Sequence, residues 1–489
     1  MLNHRFRRGW LAVVLALLVA TPAFAGELKD LKKDLRRALG EEDYSGALDV
    51  VKDIGALNDE KALDLLFSSG INISANEEFY TGLLQTIRGM DGYLDLMKEK
   101  ADKGKWNEQA LVCDILKGVE SPEAVEVVLP LLEEKNHFVQ ISAVLTLEKS
   151  MQREAIGPLI TLYEKLTKKK RRDVLYYQIA DSLWLLTGQD FELIEDWWKW
   201  WEPIQNNFDP KETDTGGTTR VDKKRRGEDD ADFIGVPIRS KNICFVLDTS
   251  GSMKYVHKDD IPGLARADGS DGGQGSGGGG TTPENQRLAR FWTRMEMAKR
   301  ALVMAVRGIK SSTLFNVVYF DAKAELYKKR AIKASGGGKK AVIKDLEDRV
   351  TRFFNDVQNR QDARRTTHTM DALVKAFNSD PKTNTIYFLS DGLPSKDGKT
   401  QDPTGPILDK VFDMNKFRKI KIHTFGFYPR TQGGQPMPGL EEAKKWLKKL
   451  AERTGGTYTD LKVDTRFTPD KPYGPGKKTE RGIVEGATR

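Results

Sequence analysis

Between Lys241 and about Leu461 the chain alternates short apolar runs with amphipathic segments, and this alternation constrains its fold more than any other feature. Ile243–Leu247, Leu314–Phe320, Thr385–Leu389 and Ile420–Phe427 read as strands buried on both faces. Met295–Ile309, Lys339–Phe354, Met370–Phe377, Pro406–Arg418 and Glu441–Arg453 carry the three- and four-residue spacing of helices between them. Strands joined through helices run parallel, and covered parallel sheets read as near-continuous apolar text. The expectation is an α/β domain over 238–462, a doubly wound and mainly parallel sheet with helices on both faces. Such a sheet binds ligands outside the carboxyl ends of its strands, where the strand order reverses.

At 489 residues the chain exceeds one ordinary core, so further domains are expected. From Glu27 to about Trp201 the pattern is helical with almost no strand-like alternation. Glu123–Glu133 resembles Glu154–Glu164, 31 positions on, and each is followed by a second amphipathic stretch, Val139–Leu147 and Tyr176–Leu186. Paired helices at this period resemble HEAT-type repeats, which stack into a protein-binding solenoid. A plain helical bundle is the alternative for 26–202. Trp197, Trp198, Trp200 and Trp201 close this part. Trp197 and Trp201 share a helix face with Ile194, as in a packed terminal helix; a sugar-stacking platform is the sharper alternative. Residues 203–237 read as a linker, in which Lys223–Arg226 is offset at once by Glu228, Asp229 and Asp230. The segment 463–489 reads as a polar, disordered tail.

Apolar residues make up 39% and charged residues 31%, a globular balance with a strongly solvated surface. The net charge of +8 is mild for this length and does not argue for nucleic acid. Residues 1–25 read as a signal peptide: a basic start, the apolar run Trp10–Ala20, and small residues in Ala23-Phe24-Ala25. An uncleaved anchor is the alternative, but the run is about half the length that spans a bilayer. No other segment is apolar enough to cross a membrane, so an exported protein of the envelope or the exterior is expected. Cys113 and Cys244 are the two cysteines, and both fall on apolar faces as buried thiols.

Three pieces of sequence fall on the carboxyl edge of the expected sheet. Asp248-Thr-Ser250-Gly-Ser252 follows the first strand, Thr367 precedes the helix containing Asp371, and Asp391-Gly392 follows the strand ending at Leu389. Together they offer carboxylates and hydroxyls, all hard oxygen donors. Mg²⁺ wants near-octahedral oxygen at about 2.0–2.1 Å and keeps waters where few carboxylates approach it. Hydroxyls add oxygen without charge, so such an ion would seek one more anionic ligand.

These pieces resemble the metal-ion-dependent adhesion site of the von Willebrand factor type A domain. Phe388-Leu-Ser-Asp-Gly-Leu-Pro394, Ile422-His-Thr-Phe-Gly-Phe427 and Leu450-Ala-Glu-Arg-Thr-Gly-Gly456 are similar to text of that family. The resemblance implies that Ser250 and Ser252 ligate the ion directly. Thr367 would ligate directly or through water, and Asp248 and Asp391 mostly through water. The implied cofactor is Mg²⁺, with Mn²⁺ or Ca²⁺ as alternatives, and the implied partner is a protein presenting an Asp or Glu. Two departures stand out. Arg365 and Thr366 occupy positions where the family usually has glycine, and Thr366 rivals Thr367 as ligand. Residues 254–287 form a glycine-rich insertion on the metal face, where Asp259, Asp260, Asp268 or Asp271 could supply an internal carboxylate.

Enzyme signatures are weak. The five histidines form no metal-ligand pair, Ser250 lacks a nucleophile elbow and an evident base, and no nucleotide-binding loop occurs. His368 reads as a neighbour of the site and His423 as packed within a strand. The expectation is a binding protein without catalysis. A cell-envelope scaffold is the alternative, and a metal-assisted hydrolase a weaker one.

Overall fold

A computed structural model describes residues 26–74, 76–213, 231–254, 290–358, 366–395, 397, 400–427 and 439–461. The readings placed on 1–25, Lys223–Arg226, 255–287, Arg365 and 463–489 lie outside the described residues. Two compact units form, one up to about residue 216 and one after it, with Arg172–Tyr177 grouped with the second.

The first unit is all helical. Helix α1 covers 26–40, followed by α2 Tyr44–Ala56, α3 Glu60–Asn72, α4 Glu77–Arg88, α5 Tyr93–Lys103 and α6 Trp106–Leu116. Then come α7 Pro122–Val128, α8 His137–Ser150, α9 Ile156–Lys168, α10 Val174–Thr187 and α11 Ile194–Trp201. Alternate helices pack: α2 on α4, α4 on α6, α6 on α8, and α5 on α7. This is the order expected of stacked repeats, in which each unit covers its neighbour's apolar face. Caps fix the starts: Asp59, Asn76 and Ser121 accept from the backbone of Ala62, Phe79 and Ala124. The two repeat segments differ where proline differs. Pro130 has no N–H, and the chain tightens there into the 3₁₀ turn Leu129–Glu133. Pro158 lies in the first turn of α9, where an N–H would lack a helical partner anyway, so the α-helix continues.

The tryptophan cluster is packed. Trp197 is fully buried and donates from Nε1 to the Phe191 carbonyl at 3.2 Å, while Trp201 is 5% exposed. Trp198 Nε1 reaches Glu164 at 2.9 Å, which ties α11 to α9.

The second unit is the expected α/β domain. A short hairpin, β1 Asp232–Phe233 and β2 Val236–Pro237, precedes it within the stretch read as linker. The main strands are β3 Asn242–Asp248, β4 Leu314–Phe320, β5 Ala324–Leu326, β6 Ile332–Lys333, β7 Thr385–Ser390, β8 Lys421–Gly426 and β9 Tyr458–Asp460. Their order is β5-β4-β3-β7-β8-β9, with β6 also on β4. Strands β3, β4, β7, β8 and β9 are parallel, and β5 and β6 pair antiparallel with β4. Helices α12 Arg294–Gly308 and α13 Gly336–Gln358 cover one face, and α14 Thr369–Phe377, α15 Thr404–Asn415 and α16 Leu440–Arg453 the other.

Strand periodicity sorts the apolar runs between two cores. Ile243, Phe245 and Leu247 enter the core of α12 and α13, whereas Cys244 and Val246 enter that of α14, α15 and α16. Phe315, Val317 and Tyr319 of β4 and Tyr387 and Leu389 of β7 repeat the first assignment; Val318, Phe320, Ile386 and Phe388 repeat the second. Phe233 of the hairpin is 1% exposed and packs on Phe245, Tyr387 and Phe425. The turn into β9 needs glycine twice. Gly455 has φ +68°, and a Cβ on Gly456 would lie 2.0 Å from the Ile422 carbonyl oxygen. His423 stacks on Tyr387 and bonds Thr457 at 2.9 Å, a packing role.

Cys113 and Cys244 are buried thiols, as expected from their apolar faces. Burial pushes the Cys244 thiol up to about 12, so little reactive thiolate forms. Titration with a disulfide reagent at pH 8 is therefore expected to find no fast-reacting thiol in the native protein and two in denaturant.

Candidate metal centre

Parallel pairing places the ends of β3, β4 and β7 side by side, with Asp248 level with Phe320. The neighbours of β3 are β4 on one side and β7 on the other, so the chain winds away in both directions from this strand. This is the reversal point at which ligand crevices form in open α/β sheets.

Asp248 ends β3 on the same face as Cys244 and Val246, and it is fully buried. Its Oδ1 accepts the Ser250 N–H at 2.8 Å, and its Oδ2 accepts the Ser390 hydroxyl at 2.7 Å. Those two bonds bend the chain after the strand and lead into the 3₁₀ turn Gly251–Lys254. Thr249 fastens the other side. Its N–H and its hydroxyl both donate to the Phe320 carbonyl, at 2.7 and 3.1 Å. The two serines then converge, with Ser250 Oγ 3.0 Å from Ser252 Oγ, and Ser252 Oγ donates to Asp391 Oδ1 at 2.9 Å. Four of the five residues selected from sequence thus form one hydrogen-bonded chain of oxygens.

Thr367 joins the same edge through its backbone. It is 8% exposed, its N–H donates to Ser395 O at 2.6 Å, and the next residue, His368, donates from N to Asp321 O at 2.9 Å. Asp321 follows β4 and accepts the Thr249 hydroxyl at 3.3 Å, which ties this loop to the first one. The Thr366 hydroxyl is buried with no hydrogen-bond partner among the described residues. His368 lies 3.7 Å from Asp371 on its own helix.

Two side chains outside these five residues bond the acids directly, Ser390 on Asp248 and Arg294 on Asp391. Arg294 opens α12, its side chain is 2% exposed, and its Nη1 donates to Asp391 Oδ2. It falls on the helix stripe of Ala298, Leu302 and Ala305, all buried. A charge in phase with an apolar stripe signals a buried ion pair, and that signal was present in the sequence. Nearby side chains anchor the same turn. Arg300 donates to the Phe291 carbonyl at 2.7 Å with its guanidinium carbon 3.7 Å from the Phe291 ring centre, and Arg290 lies 4.2 Å over the Phe354 ring.

Burial raises the Asp248 carboxyl well above the ordinary carboxylate range, and the charge of Asp391 raises it further. Hydrogen bonds from Ser250 and Ser390 pull it part of the way back. Two acids and two hydroxyls in a dry pocket suit a small hard cation. Among the described residues no group of three or more His, Cys, Asp or Glu gathers as a metal site. An ion here would therefore rest on hydroxyls as much as on acids. Asp248, Ser250, Ser252 and Asp391 fit that donor set, with the Arg294 guanidinium as a second cation on Asp391.

Residues 289–460 match the family model of the von Willebrand factor type A domain. Over these residues the second unit is of the von Willebrand factor type A domain family. The matched residues include Arg294, Thr367 and Asp391, while β3 and the Asp248–Ser252 loop lie before them. Among solved structures, a von Willebrand factor type A protein from Catenulispora acidiphila is similar at 16% identity and TM-score 0.28, over 48% of this chain and 41% of that one. An aerotolerance-related membrane protein from Bacteroides fragilis NCTC 9343 is similar at 14% identity and TM-score 0.28, over 45% and 91%. The PilB minor pilin from Streptococcus sanguinis is similar at 14% identity and TM-score 0.28, over 47% and 58%. The chain thus spans less than half of the first of these structures. No curated protein matches the chain. Among the described residues no helix is long and apolar enough to cross a membrane.

The Arg294–Asp391 pair makes the type A domain sensitive to loss of one partner. Asp391→Ala removes the carboxylate to which the buried Arg294 donates, and a broken buried pair costs about 3–5 kcal/mol. Urea unfolding is expected to show a loss of that order, with Asp391→Asn intermediate because its amide oxygen still accepts from Arg294.

Proposed function

We propose that this chain is a cation-dependent binding protein whose type A domain grips an acidic group of a protein partner. The observation that carries this reading is the chain of oxygens Asp248, Ser250, Ser252 and Asp391 at the reversal point of the sheet. Ser250 and Ser252 would hold the ion, Asp248 and Asp391 would orient it and its waters, and Thr367 would complete the set from the adjoining loop. Mg²⁺ suits these donors best, with Mn²⁺ or Ca²⁺ as alternatives, and when bound it supplies the positive charge that a partner's carboxylate seeks. Hydroxyls do this without neutralising the ion, which favours capture of an anion over activation of water. The reading is accordingly of a protein that binds, with no catalytic step assigned to it.

The stacked helices of the first unit offer a second surface, and two weak contacts on one chain reinforce each other through effective concentration. The leader-like residues 1–25 support export to the envelope or exterior. The mature protein recovered from an envelope fraction is then expected to begin at Gly26, as read by N-terminal sequencing.

Capture from envelope extract tests the binding reading. Wild type with Mg²⁺ is expected to retain a set of proteins that is lost in EDTA and lost again with Ser252→Ala. Ser252 is the partly exposed member of the chain, so this change spares the core. Recovery of the same proteins in all three cases would reject cation-dependent attachment. Capture retained by Ser252→Ala with a lowered melting temperature would favour the scaffold reading, in which the helical unit binds and the ion only stabilises.

A further inference from the structure

Arg294 stands where a cation is poorly placed. It is the first residue of α12, and a positive charge there opposes the positive end of the helix dipole. Thr293 already caps the helix by accepting the Glu296 N–H at 3.3 Å, so the arginine is not needed for that. Its side chain is 2% exposed, which also removes it from any role in attracting a ligand from solvent. It donates from Nη1 to Asp391. The guanidinium takes Oδ2 and the Ser252 hydroxyl takes Oδ1, so both oxygens of this acid are engaged from within the domain. Ser252 is engaged in turn by Ser250. The donor set is closed on itself, and its positive charge is supplied by the protein.

We propose that Arg294 is a resident counter-cation of this centre, and that a divalent ion is held there only when the Arg294–Asp391 pair breaks. This rests on the reading of the centre as a metal site. Like charges within one desolvated pocket repel strongly, so the guanidinium and the ion compete for the same acid. The first turn of α12 is then coupled to cation occupancy. Its neighbours stay in place, because Arg290 and Arg300 are fastened to Phe354 and Phe291 independently of Asp391. Asp391 then exchanges one positive partner, the guanidinium, for another, the ion.

Calorimetric titration of MgCl₂ and MnCl₂ into the full chain tests this with wild type, Arg294→Gln and Arg294→Lys. Arg294→Gln is expected to bind Mg²⁺ about tenfold more tightly or better, a usual size for coupling between two binding events. Arg294→Lys keeps the charge and is expected to stay as weak as wild type. Equal affinity in wild type and Arg294→Gln overturns the proposal while leaving the metal site standing. Weaker binding by Arg294→Gln also overturns it, since Arg294 would then be holding Asp391 ready for the ion. No binding by any of the three, all folded by circular dichroism, removes the metal reading and this inference with it. Should Arg294→Gln fail to fold, hydrogen exchange on wild type decides. Amides of residues 294–298 are expected to exchange faster at saturating Mg²⁺, and unchanged protection rejects the exchange of cations.

Discussion

Strand β3 is hydrogen-bonded along both edges and covered on both faces, and the rest of the α/β domain is arranged around that condition. A parallel strand so enclosed has no exposed edge and no solvent side, so each residue must suit one of two cores. Ile243, Phe245 and Leu247 satisfy one and Cys244 and Val246 the other. A slip of one residue would exchange the two sets and turn Asp248 to the wrong face. The register that fills the cores is therefore the register that presents the acid. Core packing and site geometry are one requirement in this strand.

Electrostatics at the strand ends follow from the same burial. Asp248 and Asp391 are brought into a pocket that excludes water, which disfavours their charges unless something answers them. The Ser390 hydroxyl and the Ser250 N–H answer Asp248, and a guanidinium answers Asp391. The asymmetry has a chemical meaning. One acid is met by neutral donors and is pushed toward its protonated form, whereas the other is met by a full positive charge.

Much of this was legible in the sequence, and the rest was hidden for physical reasons. Strands β3, β4, β7 and β8 announced themselves as apolar runs long enough to be buried twice over. Strands β1, β2, β5, β6 and β9 are two or three residues each and carry no period that text can show. The hairpin β1–β2 sat in a stretch whose charges outweighed Phe233, its single core residue. At the centre, Asp248, Ser250, Ser252 and Asp391 were selected because their types and edge positions were unusual together. Thr367 was placed near them, but the structure attaches it through main-chain bonds, which sequence does not encode directly. Arg294 carries no such mark, because arginines are common and usually solvated; its phase with Ala298 and Leu302 is the clue the sequence holds. In the helical unit the repeat spacing predicted paired helices, and Pro130 shows why one of them shortens.

The clamp around Phe291 has a consequence for how this domain can vary. The polypeptide leaves the centre at Lys254 and returns at Arg290, and both ends are fixed locally. The 3₁₀ turn Gly251–Lys254 packs on α12 and α13, and Arg300 grips the Phe291 carbonyl and ring. Length between two fixed points is thermodynamically cheap, since each doubling of a loop costs only about 0.6 kcal/mol. Evolution could thus lengthen, shorten or replace the intervening residues without moving an oxygen of the centre. The oxygens of the centre take their positions from these two fixed ends, so the site and the length of chain between them are set by separate parts of the sequence.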